Sequence, residues 1–154
     1  MSTNESDAPV HWLAPEEEQS WRAYLRMVTA VQVRTAHDLA ELGLSEPDYE
    51  VLSTLSEHPE GTSTLHEQAA KMGWSRSRLS RHASRMEARE LIRRAPDPND
   101  GRGCLLVLTT TGWGTLREAA PTHVASVRRH FVDRLTPDEL AALHRIAEKL
   151  SEAP

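Results

Sequence analysis

The sequence predicts a mainly α fold with one small β-hairpin, an α+β arrangement. Apolar residues recur at helical spacing in most segments, and Ser or Thr stands before several of these segments as a capping residue. An arginine-rich segment, Ser75 to Glu90, contains neither Pro nor Gly and can form one unbroken helix. Two short apolar runs, Leu91–Arg94 and Cys104–Leu108, enclose nine residues rich in Pro, Asp, Asn and Gly, which is typical of a hairpin loop.

Length and composition indicate an ordinary globular chain. Its 154 residues suit one domain with helical extensions, at 38% apolar and 27% charged residues. No apolar run approaches the roughly 20 residues that cross a membrane. Residues 1–9 lack the apolar segment of a signal peptide, so we expect a cytoplasmic protein. The single cysteine, Cys104, fits a reducing compartment.

The first predicted element is a long helix over residues 15–44, after a tail of residues 1–14 that is disordered or docks on a partner. Pro15 suits the first helical position, and the three glutamates that follow it favour the positive end of the helix dipole. Apolar residues then recur at helical spacing and occupy more than one side of the helix. A monomer of this size would leave part of that surface exposed, so we expect it to be buried against a second copy.

Residues 45–109 follow the order of a winged helix-turn-helix: helix, short helix, glycine turn, basic helix and hairpin. Ser45 is the expected cap of the first helix, and Thr62-Ser63-Thr64 that of the short one. Gly73 supplies the tight turn, and Ser75 caps the basic helix. Each signal is weak alone, but their order predicts this fold.

The basic helix has two chemically different sides. At about 100° per residue, its apolar residues fall on one stripe and three arginines fall together on the other side. The stripe consists of Leu79, Ala83 and Met86, and the arginines are Arg78, Arg81 and Arg85. Guanidinium groups with only small residues between them suit a helix in the major groove of DNA. The alternative is a solvated surface, which is the usual role of an arginine-rich helix face.

The charge distribution favours a polyanionic partner. Residues 74–103 carry eight arginines and four acidic residues, a net charge of +4, whereas the whole chain carries −5. The rest of the chain therefore carries −9. A single basic region in an acidic protein is the expected footprint of nucleic acid.

The hairpin loop carries one arginine between two glycines, Gly101-Arg102-Gly103. Flanking glycines allow the backbone to approach a surface closely, and an arginine at a hairpin tip can enter a narrow minor groove. An ordinary surface turn is the alternative.

The stretch from Gly73 to Leu108 resembles the MarR family of winged helix-turn-helix regulators, and a looser similarity extends from Trp21 to Leu150. The motifs that carry the resemblance are Ser75-Arg76-Ser77, Leu79-Ser80-Arg81, Arg85-Met86-Glu87, Leu91-Ile92-Arg93-Arg94, Asp100-Gly101-Arg102, and Leu108-Thr109 followed by Gly112. Glu90 departs from the pattern, since the family usually has Gly at the end of this helix. We therefore expect a differently shaped corner between helix and strand.

The resemblance implies a homodimeric, sequence-specific regulator of transcription, a repressor, that binds double-stranded DNA at a palindromic operator. It also implies that the first helix and the last two helices, within residues 110–151, interleave with those of a second subunit as a dimerisation layer. We expect a kink at Pro121 in this region and a helix cap at Thr136. The residues expected in the dimer interface are Trp21, Leu25, Val28, Leu140, Leu143, Ile146 and Leu150.

Several side chains are candidate DNA contacts. We assign Ser77, Arg78 and Arg81 to the major groove, Ser75 and Arg76 to phosphates, and Arg102 to the minor groove. Asp100 is expected to orient an arginine of the wing or of the recognition helix. The complete predicted DNA-binding set is Ser75, Arg76, Ser77, Arg78, Arg81, Arg85, Arg94 and Arg102.

A pocket for a small aromatic effector is a further implication of the resemblance, since such ligands often bind between the dimer layer and the DNA-binding lobe. The candidate pocket residues are Trp21, Tyr24, His37 and Trp113. The alternative is that they are core aromatics, which is the commoner role of such residues. A ligand would act by binding one arrangement of the two lobes more tightly than the other.

The sequence predicts no enzyme activity, no cofactor and no metal site. His66-Glu67 begins like a zinc-protease motif, but Ala70 replaces the second ligand. His123 and His130 lie roughly 10 Å apart along one helix, too far to share a zinc ion. Cys104 is expected to be a small apolar strand residue. A winged helix that binds protein, or a DNA-binding metal or thiol sensor, are the alternative functions.

Overall fold

The computed structural model describes residues 9–152, so residues 1–8 of the predicted tail lie outside the described residues. Within them the helices are α1 (Pro15–Ala40), α2 (Glu46–Ser56), α3 (Leu65–Met72), α4 (Arg76–Ala88), α5 (Thr110–His130) and α6 (Pro137–Ser151). The strands are β1 (Thr62–Thr64), β2 (Ile92–Asp97) and β3 (Asp100–Leu108), and short 3-10 turns lie at Pro59–Gly61 and Val132–Arg134. The predicted mainly α class with a small β element is confirmed. None of the described helices combines the length and apolarity that a membrane span needs.

The chain divides into two units, the first ending at Val33 and the second beginning at Arg34. α1 continues across this boundary. The first unit contains an exposed apolar segment with Val10, Trp12 and Leu13 ahead of α1. The second unit contains all the elements of the winged helix, and the buried core lies there.

Side-chain caps fix the beginnings of the helices, as the sequence predicts. The Ser45 hydroxyl accepts from the Asp48 N–H at 3.1 Å, and the Asp48 carboxylate accepts from the Ser45 N–H at 3.0 Å, which forms a capping box at α2. Thr136 and Glu139 make the same reciprocal pair at α6. At α4, the Ser75 hydroxyl accepts from the N–H of Arg78 at 3.1 Å.

Two residues with left-handed backbone conformation set the direction of the chain before and after α4. Gly73, with φ 65°, turns the chain from α3 towards α4. Glu90, with φ 59°, turns it from α4 into β2. The expectation of a differently shaped corner at Glu90 is wrong, because Glu90 adopts the conformation that a glycine would favour. An L-residue in this conformation costs roughly 1–2 kcal/mol.

The sheet has the antiparallel order β1–β3–β2, and β1 was not predicted. The sequence predicts only a helix cap at Thr62–Thr64. The segment also pairs with β3, so that Thr64 lies opposite Leu105. Thr64 caps α3 as well, since its hydroxyl accepts from the Glu67 N–H at 3.0 Å. Thr62–Thr64 is therefore both a strand and a helix cap, and the sequence pattern indicates only the cap.

The hairpin loop is shorter than the nine residues predicted. β2 continues to Asp97 and β3 begins at Asp100, which leaves Pro98 and Asn99 between the strands, with a register irregularity at Pro96/Asp97. Pro96 and Pro98 favour a loop in the sequence, because proline cannot donate a hydrogen bond to a neighbouring strand. β2, however, is an edge strand, where a missing N–H can be tolerated.

The core of the second unit lies where α2 and α4 meet the sheet. Its largest fully buried side chains include Leu52 and Leu55 of α2, Leu79 and Met86 of α4, Ile92 and Leu106. The predicted apolar stripe of α4 is thus buried, and Ala83 with it. A Cβ at Gly112 would lie 2.0 Å from the Leu91 carbonyl oxygen, so only glycine permits α5 to begin this close to the end of the α4–β2 corner.

Candidate nucleic-acid interface

The outer ridge of α4 is formed by small residues around one arginine. Arg81 lies two positions from both Leu79 and Ala83, about 200° around the helix axis from each, and therefore opposite the buried stripe. Arg81 is exposed, and so are its small neighbours on this side, Ser77 and Ser84. This ridge projects farthest from the core and is the part of α4 that can enter a groove.

Arg76 and Arg81 of α4 and Arg102 of the wing are exposed and have no partner among the described residues. In residues 9–152, the guanidinium groups of Arg76, Arg81 and Arg102 make no intramolecular hydrogen bond or ion pair, and all three residues are exposed. Unpaired guanidinium groups can donate to phosphate oxygens or to base edges.

Two concave surfaces connect the helix with the wing. A cleft of about 640 Å³ is lined by the start of α3, by Arg76 and by wing residues that include Asp97, Asp100 and Arg102. A groove of about 610 Å³ lies beside it, lined by Leu65, Arg76, Ser77, Ser80 and Arg81. Arg76 borders both, so the sequence-predicted contacts on α4 and on the wing lie along one surface.

Carboxylates hold the backbone of the wing. Asp97 Oδ1 accepts from the Asn99 N–H at 2.9 Å, and Asp100 Oδ1 accepts from the Arg102 N–H at 3.0 Å. Asp100 thus fixes the main chain from which the Arg102 side chain projects. The predicted orienting role of Asp100 is consistent with this bond and stays a prediction.

Arg94 connects β2 with α4. Its Nη1 donates to Ser84 Oγ at 3.0 Å, its Nη2 donates to the Ser80 carbonyl at 2.6 Å, and its backbone N–H donates to the Glu87 carboxylate at 2.9 Å. These donors are used inside the protein, where they fix the wing relative to α4. A direct DNA contact by Arg94 stays a prediction, and its structural role was not anticipated.

Arg78 and Arg85 lie on the side of α4 that faces α2. The Arg78 guanidinium lies 3.7 Å from the centroid of the Trp74 ring, a cation–π contact. Arg85 Nη2 lies 3.0 Å from His82 Nδ1. Both residues are exposed, but each contacts an aromatic ring of the protein, whereas Arg81 contacts no aromatic ring among the described residues.

A buried polar group, which sequence reasoning missed, joins α2 to α4. Asp48 Oδ2 accepts from Arg89 Nη1 at 2.7 Å, and Asp48 Oδ1 lies 2.9 Å from His82 Nε2. Arg89 Nη2 also donates to the Gly43 carbonyl at 2.7 Å. Of the eight arginines counted in the basic region, Arg89 and Arg94 thus donate to carboxylate, hydroxyl or carbonyl oxygens of the protein, and Arg78 and Arg85 contact aromatic rings. A charge count cannot distinguish them from the exposed ones.

The pKa values of Asp48 and His82 reflect these contacts. Burial opposes ionisation of Asp48, but the Ser45 N–H and the Arg89 guanidinium, together with His82, hold its pKa below the usual 3.8. Burial lowers the pKa of His82 below 6.5 and outweighs the attraction of Asp48, and the nearby charges of Arg85 and Arg78 lower it further. At neutral pH, Asp48 is therefore charged and His82 is neutral.

The side chains predicted to form a dimer leave much apolar surface exposed. α6 has no buried residue, and Ile146 and Leu150 are 53% and 75% exposed, with Leu140 and Leu143 half-buried. In the first unit, Trp21 and Leu25 are exposed and Val28 is half-buried.

The four candidate ligand-pocket residues differ in their surroundings. Trp21 and Tyr24 stack on one another in the first unit, with ring centroids 5.5 Å apart. In the second unit His37 is exposed, whereas Trp113 packs against the core and lies over Gly61. Trp113 thus has the role of a core aromatic that the sequence left as the alternative.

Other candidate chemistry finds little geometric support. No group of three or more His, Cys, Asp or Glu side chains within residues 9–152 is arranged to hold a metal ion. His123 instead packs against the Tyr49 ring at 4.1 Å. Cys104 is half-buried at the edge of the core, and its Sγ donates to the Leu105 carbonyl at 3.5 Å.

Known proteins resemble this chain in sequence and in structure. A sequence profile described as MarR family matches residues 42–103. AbsC, a MarR family transcriptional regulator from Streptomyces coelicolor, is 40% identical, with a TM-score of 0.86 over 92% of this chain and 98% of its own. Sco3205, a MarR family transcriptional regulator of the same organism solved in complex with DNA, is 33% identical, with a TM-score of 0.89 over 97% and 92%. Transcriptional regulator HosA of Escherichia coli O111:H- is 30% identical over 120 residues, which cover 78% of this chain and 85% of HosA.

These similarities agree with the geometry. The matched residues 42–103 contain α2, the helix-turn-helix and most of the wing, and the relatives match nearly the whole chain. Members of this family bind DNA and are not enzymes. The chain therefore belongs to the MarR family of DNA-binding transcriptional regulators.

Proposed function

We propose that this protein is a homodimeric repressor that binds a palindromic operator and acts in the cytoplasm. In this proposal the α4 ridge around Arg81 enters the major groove, Arg76 binds phosphate, and Arg102 at the wing enters the minor groove. The observation that carries the proposal is that these three exposed guanidinium groups have no partner within residues 9–152 and lie along one surface. The DNA complex of Sco3205 supports it, as a property of a relative that is 33% identical.

The dimer follows from surface that one chain leaves exposed. The apolar residues of α6 and of the first half of α1 would be covered by the same residues of a second copy related by a two-fold axis. Such a dimer presents two recognition helices, and its symmetry requires an operator with two inverted half-sites about one helical turn apart.

The test of DNA recognition is the variant Arg81→Ala. We expect it to weaken binding to a duplex that the wild-type protein selects from a random-sequence library, and to relax the base preference of that selection. A bidentate contact to a base is worth about 1–3 kcal/mol, which corresponds to roughly 5- to 150-fold in Kd. Fluorescence anisotropy at fixed salt measures the affinity.

A matched control is Arg117→Ala, which removes an exposed arginine of α5 and should leave the affinity unchanged. Equal losses in the two variants would mean that only net charge matters, and α4 would not read the sequence. Failure of the wild-type protein to retain any duplex at low salt would instead favour a winged helix that binds an acidic protein.

We also propose that a small aromatic ligand releases the operator, with Trp21 and Tyr24 among its contacts. The support is the resemblance in sequence and the exposed, stacked pair Trp21–Tyr24. Phenols and aromatic carboxylates should raise the melting temperature of the wild-type protein and weaken its DNA binding. Tyr24→Ala should abolish both effects without changing DNA affinity in the absence of ligand.

A further inference from the structure

His82 lies buried between the recognition helix and α2. It is 7% exposed, and each side of its ring meets a different group. Nε2 faces Asp48 Oδ1 at 2.9 Å, Nδ1 faces Arg85 Nη2 at 3.0 Å, and the Trp74 ring packs edge-on with centroids 5.7 Å apart. Every partner is either the α2 carboxylate or a group beside the candidate DNA surface.

These contacts identify the protonation state of the ring. An arginine guanidinium only donates hydrogen bonds, so Nδ1 of His82 must accept and carries no proton. The ring proton is then on Nε2, which faces the Asp48 carboxylate, although the two are not aligned for a hydrogen bond and their contact is electrostatic. The observed arrangement therefore belongs to the neutral imidazole.

Protonation would change only one side of the ring. A second proton on Nδ1 would point at the Arg85 guanidinium, where two positive charges would replace a hydrogen bond. Burial and the charges of Arg85 and Arg78 oppose this proton and lower the pKa of His82, whereas Asp48 favours it. Asp48 is itself neutralised by Arg89, and Glu50 of α2 lies near Arg78.

Resting on the proposed function, we propose that His82 is a positioning residue, whose neutral ring holds Arg85 towards the DNA backbone and whose protonation releases Arg85 and weakens operator binding. Arg85 lies one helical turn after Arg81 and about 40° from it around the axis, on the edge of the same surface. A guanidinium fixed before binding loses less conformational entropy when it meets a phosphate. DNA affinity is thereby linked to pH through a side chain that touches no DNA.

Two substitutions separate the hydrogen bond from the charge. In His82→Asn, the amide oxygen takes the place of Nδ1 as the acceptor for Arg85, but the side chain cannot be protonated. His82→Leu removes the acceptor altogether. Arg85→Ala removes the group that is positioned. The probe is the duplex selected by the wild-type protein, and its Kd is measured by anisotropy at fixed salt between pH 8 and 5.5.

At pH 8, we expect His82→Asn to bind as tightly as the wild type and Arg85→Ala to bind roughly tenfold worse. His82→Leu should lie between them, because it keeps the Arg85 guanidinium but no longer positions it. Effects of pH that are common to all variants form a shared background. The ratio of wild-type affinity to His82→Asn affinity cancels that background and should fall progressively as the pH approaches 5.5, by less than tenfold because burial holds the pKa of His82 below its usual 6.5. In an Arg85→Ala background, the His82 substitutions should have no further effect.

Parallel pH profiles for the wild type and His82→Asn would overturn this inference, as would an equal effect of His82→Leu with and without Arg85. If a variant does not fold, 15N shifts of the His82 ring in the wild-type protein decide: Nδ1 must be unprotonated at pH 7, and the Arg85 side-chain signals must move as His82 titrates. Loss of all duplex binding by the wild type at every pH would overturn the proposed function as well, so the two failures are distinguishable.

Discussion

Single residues set the geometry around the recognition helix. Gly73 and Glu90 have nearly the same left-handed φ, 65° and 59°, at the two corners that flank α4. At Gly73 the conformation costs little, because glycine has no Cβ. At Glu90 it is strained, and the surrounding contacts maintain it: the Leu91 N–H donates to the Met86 carbonyl at 3.1 Å, which closes the end of the helix.

Replacing Glu90 by glycine should therefore stabilise the protein. We expect Glu90→Gly to raise the free energy of unfolding by about 1 kcal/mol, since relief of the strained φ exceeds the extra entropy that glycine gives the unfolded chain. Urea denaturation measures the change. The matched control, Gly73→Ala, should lower the free energy of unfolding by a similar amount. A destabilised Glu90→Gly variant would show that the glutamate side chain makes a stabilising contact larger than the strain.

Asp48 is the buried charge on which α2 and α4 converge. Asp48→Asn should lower the free energy of unfolding at pH 7 by about 2 kcal/mol, because Arg89 loses its charged partner. The loss is smaller than for a fully buried pair, since solvent reaches the Arg89 side chain. The folded pKa of Asp48 is lowered, so its contribution is present above the usual 3.8 and is lost as the pH falls through the folded value.

The difference between Asp48→Asn and the wild type should accordingly shrink in urea unfolding at about pH 2.5, where most Asp side chains are protonated. Glu57→Gln, which removes an exposed partner of Lys71, serves as the control and should change stability little at either pH. A difference that stays constant from pH 7 to pH 2.5 would mean that Asp48 acts through packing and not through its charge.

At the scale of elements, the wing is positioned by α4 and not only by its own sheet. Arg94 of β2 hydrogen-bonds to Ser80 and Ser84, both on α4. The helix proposed for the major groove and the hairpin proposed for the minor groove are thus joined directly by hydrogen bonds. The sequence gives no sign of this role for Ser80 and Ser84, whose hydroxyls accept hydrogen bonds from the Arg94 guanidinium.

Arg102 tests the role of the wing in binding. We expect Arg102→Ala to weaken DNA binding and to reduce the slope of log K against log salt concentration by up to about 0.9, the amount for one phosphate charge that is no longer neutralised when the arginine leaves the minor groove. Anisotropy titrations at several salt concentrations give the slope. Arg117→Ala is again the matched control. An unchanged slope would remove the wing from the interface and leave α4 as the sole contact.

At the scale of the whole molecule, the apolar surface of one chain remains incompletely covered. α6 contributes no buried residue, and the apolar side chains Trp21, Tyr24, Leu25 and Met27 of α1 are exposed. Exposed apolar area of this extent on two helices is typical of a surface that another subunit covers. The spacing of apolar residues in the sequence predicts these faces, and the proposed dimer would bury them.

Ile146→Glu should disrupt the proposed dimer, because it places a carboxylate within the exposed apolar face of α6. We expect sedimentation velocity to show monomers at micromolar concentration and binding to the palindromic duplex to weaken more than tenfold. Ala141→Glu adds the same charge about 140° away around the helix and should leave the dimer intact. A monomeric wild-type protein would contradict the two-fold model of operator binding.

Local sequence patterns were enough to predict the order of the elements, the helix caps, the buried stripe of α4 and the family. These depend on local preferences: Ser45, Ser75 and Thr136 cap helices through their own neighbours, and the spacing of Leu79, Ala83 and Met86 defines a helix face. Which charged side chains pair with other groups of the protein is visible only in the tertiary structure. Asp48, His82 and Arg89 lie on two helices, and Arg94 lies on a strand, so no periodicity connects them. Whether an arginine binds a carboxylate, a serine or DNA depends on distances that only folding sets.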